Sequence, residues 1–159
     1  MPAKKKTRRR LTASQEDYLE AILALIHEGG SARVRDLAKR LSVAMPSVTG
    51  ALKTLAKREL VHYEPYQLVT LTARGAEMAD RIRRRHQVLR RLLEEVLEID
   101  EPTAEAAACR MEHAVEGVVL ERLESLVEFF ASGAAGAATA AFRKYCRRSA
   151  RSHASGDKA

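Results

Sequence analysis

The sequence predicts a mainly α-helical chain, in which an N-terminal winged helix-turn-helix of three helices and a β-hairpin wing precedes an all-helical domain. Three observations carry that expectation. Two short segments of apolar periodicity flank a tight turn near Ser42-Val43, and two β-like runs separated by Glu64-Pro65-Tyr66-Gln67 follow them. Beyond Thr72 every apolar pattern has helical spacing.

Thr12-Ala-Ser14-Gln-Glu16 has the composition of an N-cap region, and Tyr18, Leu19, Ile22, Leu23, Leu25 and Ile26 continue it with helical period until Gly29-Gly30. A first helix over about 14–28 follows. From Arg33 a second helix carries Val34, Leu37, Ala38 and Leu41. Pro46 suits the first turn of a third helix, whose apolar positions are Val48, Leu52 and Leu55. Leu60-Val61-His62-Tyr63 and Leu68-Val69-Thr70-Leu71 read as the two strands of the wing. A long amphipathic helix with Met78, Ile82, Val88, Leu89, Leu92, Leu93 and Val96 runs to about Ile99-Asp100-Glu101-Pro102. A helix over about 103–117 comes next, then a short one with Leu120, Leu123, Leu126 and Val127. Ser132-Gly-Ala-Ala-Gly-Ala-Ala reads as a flexible linker, with one short helix in the basic end after it. The resulting organisation is a basic disordered arm (1–11), a winged helix-turn-helix domain (12–73), an all-helical domain (74–131), and a linker with a basic tail (132–159).

The chain has 159 residues, 46% of them hydrophobic, and no apolar run long enough to span a bilayer. The basic N-terminus is not followed by the apolar core of a signal peptide, and two cysteines make no disulfide framework. A cytoplasmic protein with no membrane partner is expected. The net charge of +7 is unevenly spread: residues 31–60 and 74–91 each carry +5, whereas 92–130 carries −9. Basic segments suit a polyanion, and the acidic one suits cations. The apolar content of the later helices exceeds what a small monomer needs, so part of it is expected to form a homodimer interface.

In a helix-turn-helix the N-terminal end of the second helix of the motif reaches base edges, while surrounding cations hold phosphates. Here that end offers Ala44, Pro46, Ser47 and Thr49, with Lys53, Lys57, Arg33 and Arg35 as the phosphate contacts. Ser47 and Thr49 can hydrogen-bond; Ala44 and Pro46 can pack on a thymine methyl. Direct readout of double-stranded DNA is therefore modest, and shape readout correspondingly important. Gly50 costs such a helix about 1 kcal/mol, and close approach of another backbone is the available reason for it.

Cys109-Arg110-Met111-Glu112-His113 places a thiol, a carboxylate and an imidazole at i, i+3 and i+4, on one face of a helix. These are three transition-metal ligand types, although alone they equally describe a small buried hydrophobe and two surface residues.

The order of parts and several motifs together resemble the diphtheria toxin repressor and manganese transport regulator family of metal-dependent transcriptional regulators, in its short form without an SH3-like domain. The motifs are Ser14-Gln-Glu-Asp17-Tyr18-Leu-Glu20, Ala32-Arg33-Val-Arg-Asp36-Leu-Ala, Pro46-Ser-Val-Thr49, Leu71-Thr72-Ala-Arg-Gly75, Arg85-His86 and Cys109-Arg-Met-Glu112-His113. The resemblance implies a homodimeric repressor of metal-uptake genes whose divalent ion, Mn²⁺ or Fe²⁺, is held by Asp17, Glu20, His86, Cys109, Glu112 and His113. Asp17 and Glu20 follow the manganese-type pattern and Cys109 the iron type; hard carboxylates favour Mn²⁺ and a thiolate softer ions. Of the iron-type ancillary site His86 matches, but Arg90 stands where that pattern has Glu, and Glu105 where it has His. Glu16 and Glu116 are expected to face solvent.

Two other classes fit parts of the chain. One is a winged-helix regulator that answers no metal and senses oxidation through Cys109. The other is a small hydrolase using Cys109 and His113, which the lack of an oxyanion hole, of an orienting third group and of a glycine-rich phosphate loop disfavours. No enzyme is expected.

Overall fold

The computed structural model describes the backbone of residues 10–156 and the side chains of 10–146; the expected basic arm lies outside them up to residue 9. The chain forms two compact units, one through Arg83 and one from Arg84.

In the first unit, α1 (Ala13–Gly29) starts with a capping box: the Thr12 hydroxyl accepts from the Gln15 amide at 3.3 Å, and the Gln15 side chain accepts from the Thr12 amide at 3.3 Å. It stops where Gly30 takes a left-handed conformation, φ 69°. Next come α2 (Val34–Arg40) and α3 (Met45–Lys57), the latter with Pro46 in its first turn as expected. Leu19, Ile22, Leu37, Val48, Leu52 and Leu55 are fully buried and hold these three helices together. The strands β1 (Val61–His62) and β2 (Thr70–Leu71) pair antiparallel, Val61 opposite Leu71 and His62 opposite Thr70. They are two residues each rather than four. Val69 donates its amide to the Ala32 carbonyl at 2.8 Å, so the returning strand pairs at that point with the segment before α2.

The wing is fastened to α4 (Ala73–Arg91) through the carbonyls of Arg58, Glu59 and Leu60. They accept from the Arg74 guanidinium at 3.1 Å, the Thr72 hydroxyl at 2.9 Å and the Thr72 amide at 3.1 Å, respectively. The same hydroxyl accepts from the Gly75 amide at 3.0 Å. A Cβ on Gly75 would lie 1.8 Å from the Leu60 oxygen, so this close approach requires glycine.

In the second unit α4 gives way to a π-helical turn, Leu92–Val96, instead of continuing as one α-helix to Ile99. Widening the turn lets adjacent residues face different partners. Leu93 joins Leu89, Ala104 and Ala108, while Leu92 and Val96 pack with Val127. Asp100 caps α5 (Glu101–Met111) by accepting from the Thr103 amide at 3.1 Å. This helix ends well short of the expected residue 117: Glu112 is its C-cap and His113 lies in the following turn. After α6 (Val118–Ala131) comes the largest departure, because most of the expected linker and tail forms one 21-residue helix, α7 (Gly136–Gly156). Residues 132–135 of the Gly-Ala stretch form turns between α6 and α7, and from Gly136 the alanines, with the highest helix propensity, continue into a helix much longer than the short one expected. Phe142 anchors α7 against Phe130, ring centroids 6.0 Å apart.

Candidate metal centre and nucleic-acid interface

The first unit carries a concave basic face. A groove of about 1200 Å³ is lined by Arg33 and Arg35 beside α2, by Met45, Thr49 and Lys53 of α3, and by His62, Tyr66 and Gln67 of the wing. Arg33, Arg35, Ala44, Pro46, Ser47, Lys53 and Lys57 are all exposed, and Thr49 is half-buried. Among the described residues, no carboxylate pairs with Arg33, Lys53 or Lys57, whereas Arg35 lies 3.6 Å from Asp36. Gly50 is exposed on α3, and a Cβ there would meet nothing within 4 Å. The fold itself does not require that glycine. Sequence reasoning misses the wing residues, although the turn Glu64-Pro65-Tyr66-Gln67 marks where they lie; Tyr66 is fully exposed with φ 66°.

The second unit gathers an imidazole and carboxylates. His86 on α4, with a side chain 13% exposed, lies between Glu112 (Nδ1 to Oε2, 2.9 Å) and Glu105 (Nε2 to Oε2, 3.1 Å). The hydrogen bond to Glu112 does most to push the His86 pKa up to about 9; burial opposes the rise, and Glu105 adds to it. At neutral pH the ring is then an imidazolium donating from both nitrogens. Glu112 is fully buried, and its other oxygen, Oε1, accepts no hydrogen bond among the described residues. That oxygen lies 3.8 Å from Nε2 of His113, which is half-buried. A buried carboxylate oxygen left without a hydrogen bond carries a penalty that a cation would remove. The donors therefore fit a divalent ion.

The structure places His86 against one oxygen of Glu112 and His113 against the other, whereas Cys109 is exposed and belongs to no group of three converging donors among the described residues. The buried stripe of α5 runs through Ala104 and Ala108 to Glu112, with a period of four, so Cys109 falls beside it rather than on it. Asp17 and Glu20 lie one turn apart on α1 and are half-buried. Glu16, expected at the surface, is buried because it shares its stripe with Leu19 and Leu23; Glu116 is exposed as expected and pairs with Arg85 at 3.3 Å. Glu105 enters the sequence reading only as a departure from the ancillary pattern, and nothing local to it signals its bond to His86.

Comparison with known proteins places both units. Residues 10–69 match the family model for the iron-dependent repressor N-terminal DNA-binding domain. Residues 72–137 match that for the iron-dependent repressor metal-binding and dimerisation domain. An uncharacterized HTH-type transcriptional regulator of Methanocaldococcus jannaschii is 40% identical over 121 residues, 76% of this chain and 97% of that protein. Among solved structures, IdeR of T. acidophilum is similar at 26% identity over 72% of this chain, with TM-score 0.63. A manganese-dependent transcriptional repressor in complex with manganese is 27% identical over 72% of this chain, TM-score 0.67. The chain spans about half of each of those two structures, 53%.

Proposed function

The chain belongs to the iron-dependent repressor family, and from that premise we propose that it is a metal-sensing transcriptional repressor. In this reading a cytoplasmic homodimer binds double-stranded operator DNA once a divalent ion is held, Mn²⁺ ahead of Fe²⁺, and so controls metal-uptake or homeostasis genes. It has no small-molecule substrate. The observation that carries the proposal is the buried Glu112 oxygen that accepts no hydrogen bond among the described residues, beside His86.

The proposed ligands are Asp17 and Glu20 on α1 with His86, Glu112 and His113, and Cys109 at the margin. The exposure of Cys109 favours the carboxylate and imidazole set, and with it manganese over a softer ion. A bound divalent ion supplies positive charge for carboxylates that otherwise repel one another. Because these side chains come from distant stretches of the sequence, holding them together restrains α1 and, through the shared core of the first unit, the recognition helix α3. The exposed apolar residues Val118, Val119, Leu126 and Phe129 of α6 support a dimer. The basic groove supports DNA as the partner: Arg33, Arg35, Lys53 and Lys57 hold phosphates, and Ala44, Pro46, Ser47 and Thr49 meet the bases. The open space at Gly50 fits close approach of a DNA backbone to α3.

Selection from a random duplex library tests this reading, carried out once with Mn²⁺ and once with chelator. Coupling of about 1–3 kcal/mol between metal and DNA gives about 5–150-fold tighter binding of the recovered duplexes with Mn²⁺. Equal affinity in the two conditions contradicts the proposal.

A further inference from the structure

We propose that Glu105, which lies outside the ligand set, is a positioning residue that fixes which nitrogen of His86 faces the metal centre; this rests on the metal-sensing reading above. A histidine that ligates a metal is neutral and has a single N–H, and the acceptor of that N–H decides which nitrogen keeps its lone pair. His86 has two candidate acceptors, on opposite sides of its ring. On the Nδ1 side is Glu112 at 2.9 Å, fully buried and with its other oxygen accepting no hydrogen bond among the described residues. On the Nε2 side is Glu105 at 3.1 Å, with a side chain 53% exposed.

The surroundings of Glu105 suit it to accept. Nε of Arg90 lies 3.7 Å from the same carboxylate; that guanidinium also donates to Glu94 at 2.7 Å and to Glu101 at 3.1 Å. Arg90 thus ties Glu105 into a network that spans α4, the π-helical turn and α5. Glu105 then holds the Nε2–H, and Nδ1 presents its lone pair on the side where Glu112 waits.

The test is the Mn²⁺ dissociation constant of the full chain, measured by competition with a fluorescent chelator, alongside denaturation of each metal-free variant. Glu105→Ala is expected to weaken Mn²⁺ binding by about 10–100-fold, as loss of such an outer acceptor does. Glu105→Gln should keep most of the unmodified affinity, because its amide oxygen still accepts from Nε2. A purely structural role would lower the metal-free denaturation midpoint and leave the dissociation constant unmoved, and that result overturns the proposal. So does Glu105→Gln losing as much affinity as Glu105→Ala, since Glu105 would then act through charge or direct ligation. Failure of the unmodified protein to bind Mn²⁺ is a different outcome, and overturns the metal-sensing reading itself.

Discussion

The two basic stretches of the chain, 31–60 and 74–91, carry the same net charge of +5, and the fold uses them in opposite ways. Around α2 and α3, Arg33, Lys53 and Lys57 project from the surface with no carboxylate partner among the described residues. Along α4 four arginines are committed to carboxylates: Arg84 to Glu124 at 2.6 Å, Arg85 to Glu116 at 3.3 Å, Arg90 to Glu94 at 2.7 Å and Arg91 to Glu95 at 2.8 Å. The lesson is that net charge by segment measures how many cations exist, whereas pairing decides which remain available to a polyanion. The acidic stretch 92–130 pairs with several arginines of its basic neighbour, whereas in 31–60 Arg40 pairs with Glu28 and Arg35 with Asp36, and Arg33, Lys53 and Lys57 have no carboxylate partner among the described residues.

The largest effect tests the backbone packing that holds the DNA-binding unit together. Gly75→Ala drives a Cβ into the Leu60 carbonyl, and the backbone has to move; a loss of about 3 kcal/mol or more in urea denaturation is expected. An unchanged midpoint would show that the wing joint is soft. Next in size is the contrast itself. Replacing both Lys53 and Lys57 with Ala should weaken DNA binding at all sequences and lower the slope of log affinity against log salt by about 2, or about 1 for each phosphate no longer neutralised. Replacing Arg84 and Arg91 with Ala should leave that slope where it was, and equal changes in the two doubles would break the comparison.

A smaller effect concerns pH. The folded His86 pKa, about 9, lies above the ordinary value of 6.5. The stability this adds to the metal-free protein is fully present below about pH 6.5 and is lost as the pH rises through about 9. Denaturation in chelator at pH 6 and pH 9.5 should show the decline, and Glu112→Gln should flatten it. The smallest expected change is from Cys109→Ser: because the thiol is exposed and outside the converging donors, the Mn²⁺ response of DNA binding should be nearly unaltered. Loss of the response would return Cys109 to the ligand set. A response to peroxide that vanishes with Cys109→Ser would favour the redox reading.

Local signals are legible in the sequence. Thr12 as a cap, Pro46 at the start of α3 and the glycine stop after α1 all depend on neighbours within a turn, and the structure has each of them. Features set by distant partners are hidden. The second strand is short because Val69 bonds to Ala32, and Arg84 finds its carboxylate 40 residues away. Periodicity places Cys109 and Glu112 on neighbouring turns but cannot rank their depth; the stripe Ala104, Ala108, Glu112 makes one buried and leaves the other outside. The Gly-Ala stretch divides, with 132–135 in turns and the residues from Gly136 on in α7, because glycine favours a coil, alanine favours a helix, and the packing of Phe142 on Phe130 adds tertiary support only to the later part.

The central claim is that a metal held by the acidic, histidine-bearing cluster governs the basic groove. Its most direct test is fluorescence anisotropy of a library-selected duplex, titrated at buffered free Mn²⁺ with the unmodified chain and with His86→Ala and Glu112→Ala. Mn²⁺ should tighten binding about 5–150-fold for the unmodified chain, and for both variants not at all, with the metal-free affinity retained. Variants that tighten as much as the unmodified chain would contradict that claim.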